Sequence, residues 1–225
     1  MLNNSHKQLI NDILSLPYAP LLVKEIEQKL QDEQKKRELF YNNEITEYKK
    51  VEFINGEIII HAPAKKEHND VTSSLCSLIS IYVNKNKLGY VGIEKIMISL
   101  SRNDYEPDIC FFDKSKSDKF KTGQSLFPAP DLVVEVLSKR TSKNDRGVKY
   151  NDYQSHNVLE YWIINPRKKI IEQYRLDKKG IYELILKAGN GTIESKAIKG
   201  FKIPIESIFD EDKNLETLAK ILTIK

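Results

Sequence analysis

The sequence predicts a mixed α/β fold: a central sheet of mixed strand direction, an N-terminal helical arm, and β-hairpins at the flanks. Three observations point there. Apolar residues fall at helical spacing through the first forty-odd positions. The period shortens to that of strands from Lys50 onward. Residues 66–165 then run helix, strand, strand, strand, helix, strand. We expect residues 1–44 to form the arm and residues 45–225 a single domain.

Taken in order, Leu9, Ile10, Ile13 and Leu14 recur at helical spacing, with Pro17 and Pro20 as punctuation. Leu22, Val23, Ile26 and Leu30 carry a second helix into a charged stretch at residues 31–38. Its apolar face needs the main core or a second subunit to rest on. Val51–Ile54 and Glu57–Ile60 flank Asn55-Gly56, the dipeptide of a tight hairpin. Val71, Leu75, Leu78, Ile79 and Tyr82 follow at i, i+4, i+7, i+8 and i+11, a helix of about twenty residues in which Cys76 packs. Strands are expected over residues 90–100, 109–112 and 132–137, with a lysine-rich loop between the last two. Residues 144–154 read as a short helix capped by Asn144 or Ser142. Residues 158–164, with Trp162 in the core, form another strand stopped by Asn165-Pro166. Residues 170–176 and 181–186 pair across Lys178-Lys179-Gly180. The tail adds a strand or loop at 201–208 and a closing helix over 215–222.

Composition narrows the function. The 225 residues are 40% apolar and 30% charged, with 36 Lys+Arg against 32 Asp+Glu. Such a chain folds, and no run approaches the ~18–20 apolar residues of a membrane span. The opening segment, broken by Asp12 and Pro17, lacks the apolar core of a secretion signal, so a cytoplasmic protein is expected. Cys76 and Cys110 are too few for a disulfide framework or a cysteine zinc site. No Gly-Lys dipeptide offers a phosphate-cradling loop, Gly189-Asn190-Gly191 reads as a turn, and no Gly-x-Ser-x-Gly elbow exists. His6, His61, His68 and His156 show no metal spacing. Charge is uneven: residues 114–149 hold 9 basic and 4 acidic groups, +5 against +4 for the whole chain. That excess suits a polyanion, and equally a solvated lysine-rich surface.

What stands out is acid where strands should be apolar. Glu135 interrupts the run Leu132-Val133-Val134-Glu135-Val136-Leu137, and Asp108 opens the run that begins at Ile109. A buried carboxylate is costly unless paired or bound to a cation. Two on neighbouring strands make an oxygen site of the kind Mg²⁺ takes. The competing reading of each acid alone is structural: Glu135 paired with a buried Arg or Lys, Asp108 capping a turn. Leu137 shares the face of Glu135 and brings no charge, so a cation must come from the next helix, which offers Arg146 and Lys149. Asp145 and Lys149, at i,i+4, could instead form a surface pair contributing a few tenths of a kcal/mol.

These residues resemble a known family. Asp108 in Glu-Pro-Asp-Ile, Pro130-Asp131-Leu-Val-Val-Glu135-Val-Leu-Ser, Asp145-Arg146-x-x-Lys149-x-x-x-Tyr153 and Glu160-Tyr161-Trp162-Ile163-Ile164 are similar to the Uma-two endonucleases of the PD-(D/E)xK, restriction-endonuclease-like superfamily. Phe53-Ile54-Asn55-Gly56-Glu57 and His68 fit the upstream pattern, so the likeness covers residues from about 45 to 175. Ser138-Lys139-Arg140-Thr141 departs from the relatives' Ser-Pro-Ser-Thr and makes that turn more basic.

The resemblance implies a restriction-endonuclease-like core that hydrolyses phosphodiester bonds with Mg²⁺, for which Mn²⁺ could substitute. Asp108 and Glu135 would hold the metal with the carbonyl of Val136. Lys149 would stand in for the lysine usually placed after the second acid, with Lys139 as competitor. Glu52 or Glu57 could add an acid, and His68 could meet a phosphate or be structural. Lys139, Arg140, Lys143 and Arg146 would contact the backbone phosphates of a nucleic acid, DNA ahead of RNA, the sequence itself not separating the two. A homodimer would suit cutting of two strands. The rivals are a non-catalytic nucleic-acid or protein-binding module on the same fold, and a small-molecule phosphohydrolase.

Overall fold

The computed structural model describes residues 4–46 and 48–223; residues 1–3 of the expected arm, Glu47 and residues 224–225 lie outside that set. Two arm helices, α1 (Asn4–Leu14) and α2 (Ala19–Asn43), precede the hairpin β1 (Val51–Ile54) and β2 (Glu57–Ile60). Asn55 and Gly56 both take positive φ, 51° and 82°, as the two-residue turn requires. The long helix α3 (Lys66–Asn86) leads to β3 (Gly89–Ile93), β4 (Met97–Ser99), β5 (Asp104–Tyr105) and β6 (Ile109–Asp113). A short turn of helix, α4 (Lys114–Ser117), and β7 (Leu126–Phe127) lie within the stretch expected as loop; both are too short to show a period. Then come β8 (Leu132–Val136), α5 (Ser142–Asp145), α6 (Val148–Ser155), β9 (Glu160–Asn165), β10 (Ile170–Leu176), β11 (Tyr182–Ala188), β12 (Thr192–Glu194), β13 (Lys202–Pro204), a 3₁₀ turn over Ile205–Ile208, and α7 (Glu211–Thr223).

Two expectations need correction. The single strand over 90–100 is two strands in different sheets, because the chain turns at Glu94, which adopts a left-handed φ of 57°. The helix over 144–154 starts earlier and is broken: Thr141 occupies the N-cap, without a side-chain cap bond, and Gly147 separates α5 from α6. A Cβ on Gly147 would come within 2.8 Å of the Lys143 carbonyl oxygen.

The main sheet runs β11-β10-β9-β8-β6-β3, antiparallel except for the parallel pair β8–β9. A smaller sheet, β2-β1-β5-β4-β7, is hydrogen-bonded separately and packs Ile54, Ile98 and Tyr105 against the main sheet. Alternation along β8 sorts the layers. Leu132, Val134 and Val136 pack with Leu75, Leu78 and Ile79 of α3, together with Trp162 and Ile203. Val133 joins the opposite layer, with Tyr105, Tyr153 and Tyr161. Every residue of β8 is buried, which is why its sequence is a continuous apolar run with one exception. That exception, Glu135, shares Val133's face.

The arm docks through the end of α2. Phe40 is fully buried and stacks near Phe53 of β1, while Arg37 reaches both oxygens of the buried Asp104 at 2.6 and 2.8 Å. Leu21, Ile26 and Leu30 farther up the helix remain exposed. Among the described residues no helix is long and apolar enough to cross a membrane.

Candidate active site

Four elements bring buried carboxylates to one place. Glu135 on β8 and Asp108 just before β6 are 4% and 3% exposed. The Val136 N–H donates to Asp108 Oδ2 at 2.8 Å, tying the Asp108 carboxylate to the backbone beside Glu135. Glu52 comes from β1 in the other sheet and is 1% exposed, as is Asp145 from α5.

Lys149 joins them. Alone, α6 has no apolar face to speak of, but the break at Gly147 leaves its first turn against the sheet, and Lys149 is 2% exposed. Its Nζ lies 2.7 Å from Glu52 Oε1, 3.0 Å from Glu135 Oε1 and 3.6 Å from Asp145 Oδ1. Tyr153, one turn later on the same face, donates to Glu135 Oε1 at 3.3 Å. The Asp145–Lys149 pair is therefore buried, and a surface pair is not what forms.

The balance of charge in this cluster is uneven. Burial, reinforced by the charges of Asp145, Asp108 and Glu52, pushes the Glu135 carboxyl well above its ordinary value despite Lys149. Burial raises Asp145 as well, against the opposing influence of Lys149 and Thr141, and among the described residues neither of its oxygens has a well-aligned hydrogen-bond donor. Burial also opposes ionisation of Glu52, but Lys149 and His61 outweigh it and hold that carboxyl down to about 2. His61 Nε2 lies 3.0 Å from Glu52 at ion-pair distance, without hydrogen-bond alignment.

Asp108 has its own partners. Lys50 Nζ donates to its Oδ1 at 2.7 Å and to Glu94 Oε2 at 2.9 Å, and His68 Nε2 is 3.1 Å from Oδ2. These contacts overcome burial and hold Asp108 well below the usual carboxylate range. Ligand atoms of His68, Glu94 and Asp108 all lie within 4.8 Å of one another. Glu135 stands outside that trio, because Lys149 and Tyr153 draw its Oε1 away; no donor among the described residues meets its Oε2. With four buried carboxylates, an orphaned Asp145 and a raised Glu135, the set is short of positive charge, and its hard oxygen donors fit a divalent cation.

Asp108, Glu135, Val136, Lys149, Lys50, His68 and Glu94 line one cleft of about 660 Å³, with Lys49, Lys65, Lys139, Arg140 and Arg167 on its more exposed walls. Other residues singled out in the sequence lie elsewhere. Glu57 is exposed beside the hairpin turn, away from the cleft, and so cannot reach the acids. Arg146 forks onto Glu172 at 2.5 and 3.1 Å, and Lys143 is not among the residues lining the cleft. Lys50, Glu94 and Asp145 belong to the site although the sequence reading gave none of them a part in its chemistry. Only Asp145 carried a signal, its i,i+4 spacing to Lys149.

Comparison with known proteins bears on this arrangement. Residues 37–206 match a family described as "Putative restriction endonuclease". The uncharacterised protein sll1609 of Synechocystis is 30% identical over 129 residues, covering 56% of this chain and 72% of that one. A second Synechocystis protein, slr1290, is 27% identical over 199 residues, covering 86% and 95%. A crystal structure of a putative nuclease belonging to DUF820 from Anabaena variabilis superposes with a TM-score of 0.62 at 20% identity, over 75% of this chain and 90% of that one, which establishes the shared fold.

Proposed function

This chain belongs to the Uma2 family of restriction-endonuclease-like proteins, and from that premise we propose that it is a metal-dependent endonuclease acting on DNA. One observation supports the reading above the others: a lysine buried between Glu135 and Glu52 at the bottom of a cleft with basic walls.

When held by Asp108, Glu135 and the Val136 carbonyl, Mg²⁺, or Mn²⁺ in its place, would polarise a phosphodiester and acidify the attacking water. The remaining work falls to the chain's own side chains. Lys149 opposes the burial that favours protonation of Glu135 beside Asp108 and supplies positive charge where the phosphate becomes more negative. Tyr153 fixes the Glu135 rotamer. Lys139 and Arg140, on the turn after β8, bind backbone phosphates and set the register of the strand without reading bases. Arg146, committed to Glu172, is left out of that contact surface.

The test is nicking of supercoiled plasmid with EDTA, Mg²⁺ or Mn²⁺. Wild type is expected to give open circles only with a divalent ion, and Glu135→Ala to lose at least about a hundredfold of that rate. Cleavage that survives EDTA or Glu135→Ala would overturn the proposal. Salt-sensitive duplex binding with no cleavage under either ion would instead identify a binding module.

A further inference from the structure

One group in the cleft has no part in the scheme above. Lys50, the residue before β1, reaches in from the smaller sheet and places its ammonium between Asp108 Oδ1 and Glu94 Oε2, at 2.7 and 2.9 Å. Glu94 is at the left-handed turn between β3 and β4, and its N–H donates to the Asp108 carbonyl at 3.0 Å, which fixes the two acids relative to each other. His68, from the first turn of α3, completes the trio from the other side of Asp108. The three come from separate elements, all lining the cleft that holds Glu135.

We infer that His68, Glu94 and Asp108 form a second divalent-cation position beside the Asp108–Glu135 pair, and that Lys50 is a resident cation which an incoming metal ion must displace. The inference rests on the metal-dependent reading above and adds to it a position, an ion preference and a competitor.

The geometry supports each part. Metal–ligand bonds of about 2.0–2.2 Å bring ligand atoms to within about 4.4 Å across an ion, so a spread of at most 4.8 Å needs only slight contraction. An ammonium already seated against two of the three ligands marks the point as favourable to positive charge. The third ligand is an imidazole nitrogen. Mg²⁺ prefers oxygen alone, whereas Zn²⁺ and Co²⁺, and more weakly Mn²⁺, accept an imidazole nitrogen beside carboxylates. This position should therefore take the transition ions in preference to Mg²⁺. Lys50 has a flexible four-carbon stem, and its side chain is already 19% exposed at the cleft. Once displaced it stays tethered there, available to an anionic substrate.

Binding of Mn²⁺ alone, followed by the loss of the free-ion electron paramagnetic resonance signal and by calorimetry, tests this without any cleavage assay. Lys50→Met should bind Mn²⁺ about tenfold more tightly than wild type, and unfold at a lower temperature in EDTA but not in Mn²⁺. Glu94→Gln, a change at a half-exposed side chain, should weaken Mn²⁺ at least about tenfold. His68→Gln should cut the preference for Mn²⁺ over Mg²⁺ by a similar factor. Glu135→Ala separates the two readings. If Glu135→Ala removes Mn²⁺ binding while Glu94→Gln and Lys50→Met leave it unchanged, the nuclease site stands and the second position falls. If wild type binds no Mn²⁺ at all, both fall. If Lys50→Met is folded by circular dichroism yet binds no more tightly, Lys50 is not a competitor and the inference is overturned.

Discussion

Glu135 and Glu160 sit on neighbouring parallel strands, both buried, and they are treated in opposite ways. Glu160 accepts from Gln173 and Arg175 side chains at 2.9 and 2.8 Å and from the Lys196 and Ala197 backbone at 3.0 and 3.2 Å, with Ser195 Oγ at 2.5 Å. Both of its oxygens are saturated. Glu135 has two donors on one oxygen and three other carboxylates for company. The first is a staple that fastens the β12–β13 region to the sheet. The second is held in tension by one lysine. A buried acid whose lone pairs are all satisfied explains itself; one left short of donors asks for something that arrives later.

The sharpest way to break this contrast is to neutralise each acid in EDTA. Glu160→Ala strands Arg175 and several backbone donors and should cost about 3–5 kcal/mol, some 6–20 °C of melting temperature at about 2–4 °C per kcal/mol. Glu135→Gln removes one of four crowded carboxylates and should leave the melting temperature unchanged or raise it. Equal losses at both positions would mean that Glu135 is a staple too. A second, smaller effect comes from Lys149→Met, which leaves Glu52, Glu135 and Asp145 without their shared cation and should cost about 3 kcal/mol. Combined with Glu135→Gln, the loss should shrink by about 1–3 kcal/mol, the coupling that a double-mutant cycle reads.

The smallest effect concerns Glu172, the other structural acid of the sheet. Burial opposes its charge, but Arg146, Lys187 and Tyr174 prevail and hold the carboxyl down to about 2. The folded state thus binds fewer protons than the unfolded chain between the ordinary glutamate value and about pH 2. The stabilisation is complete above that ordinary value and disappears as pH falls through the folded one. Arg146→Ala should cost about 1 kcal/mol at pH 7, with the difference in urea midpoint shrinking as pH falls below the ordinary glutamate value and closing at about pH 2. Duplex binding should hardly change, in contrast to a Lys139→Ala, Arg140→Ala double variant.

Much of this was legible in the residues. An acid inside a run of β-branched residues is conspicuous because its surroundings are not polar, and Glu135 stood out for that reason, while Asp108 stood out at the head of the apolar run from Ile109 to Phe112. Lys149 was reached by elimination at Leu137 and by the family spacing. Lys50 and Glu94 were hidden by their neighbours: Lys49-Lys50 and Glu94-Lys95 look like any solvated strand end. The turn at Glu94 carried no glycine or proline to announce it, so two strands read as one. Gly147 did stand in the sequence, and a glycine inside a helical pattern could have been taken as the break that it is.

Lys149 also bears on how the chain reaches this state. Its three carboxylate partners come from residues 52, 135 and 145, and the most distant is supplied by the other sheet. Glu135 and Asp145 already await it on the main sheet and on α5, but the shortest of its three ion pairs is the one to Glu52, so burial of Lys149 is complete only once the β1–β2 hairpin has docked. Closing so long a loop is slow compared with forming helices and local hairpins. The cleft is thereby built from parts far apart in the chain, and with the two larger sheets unjoined its charges would stand in water.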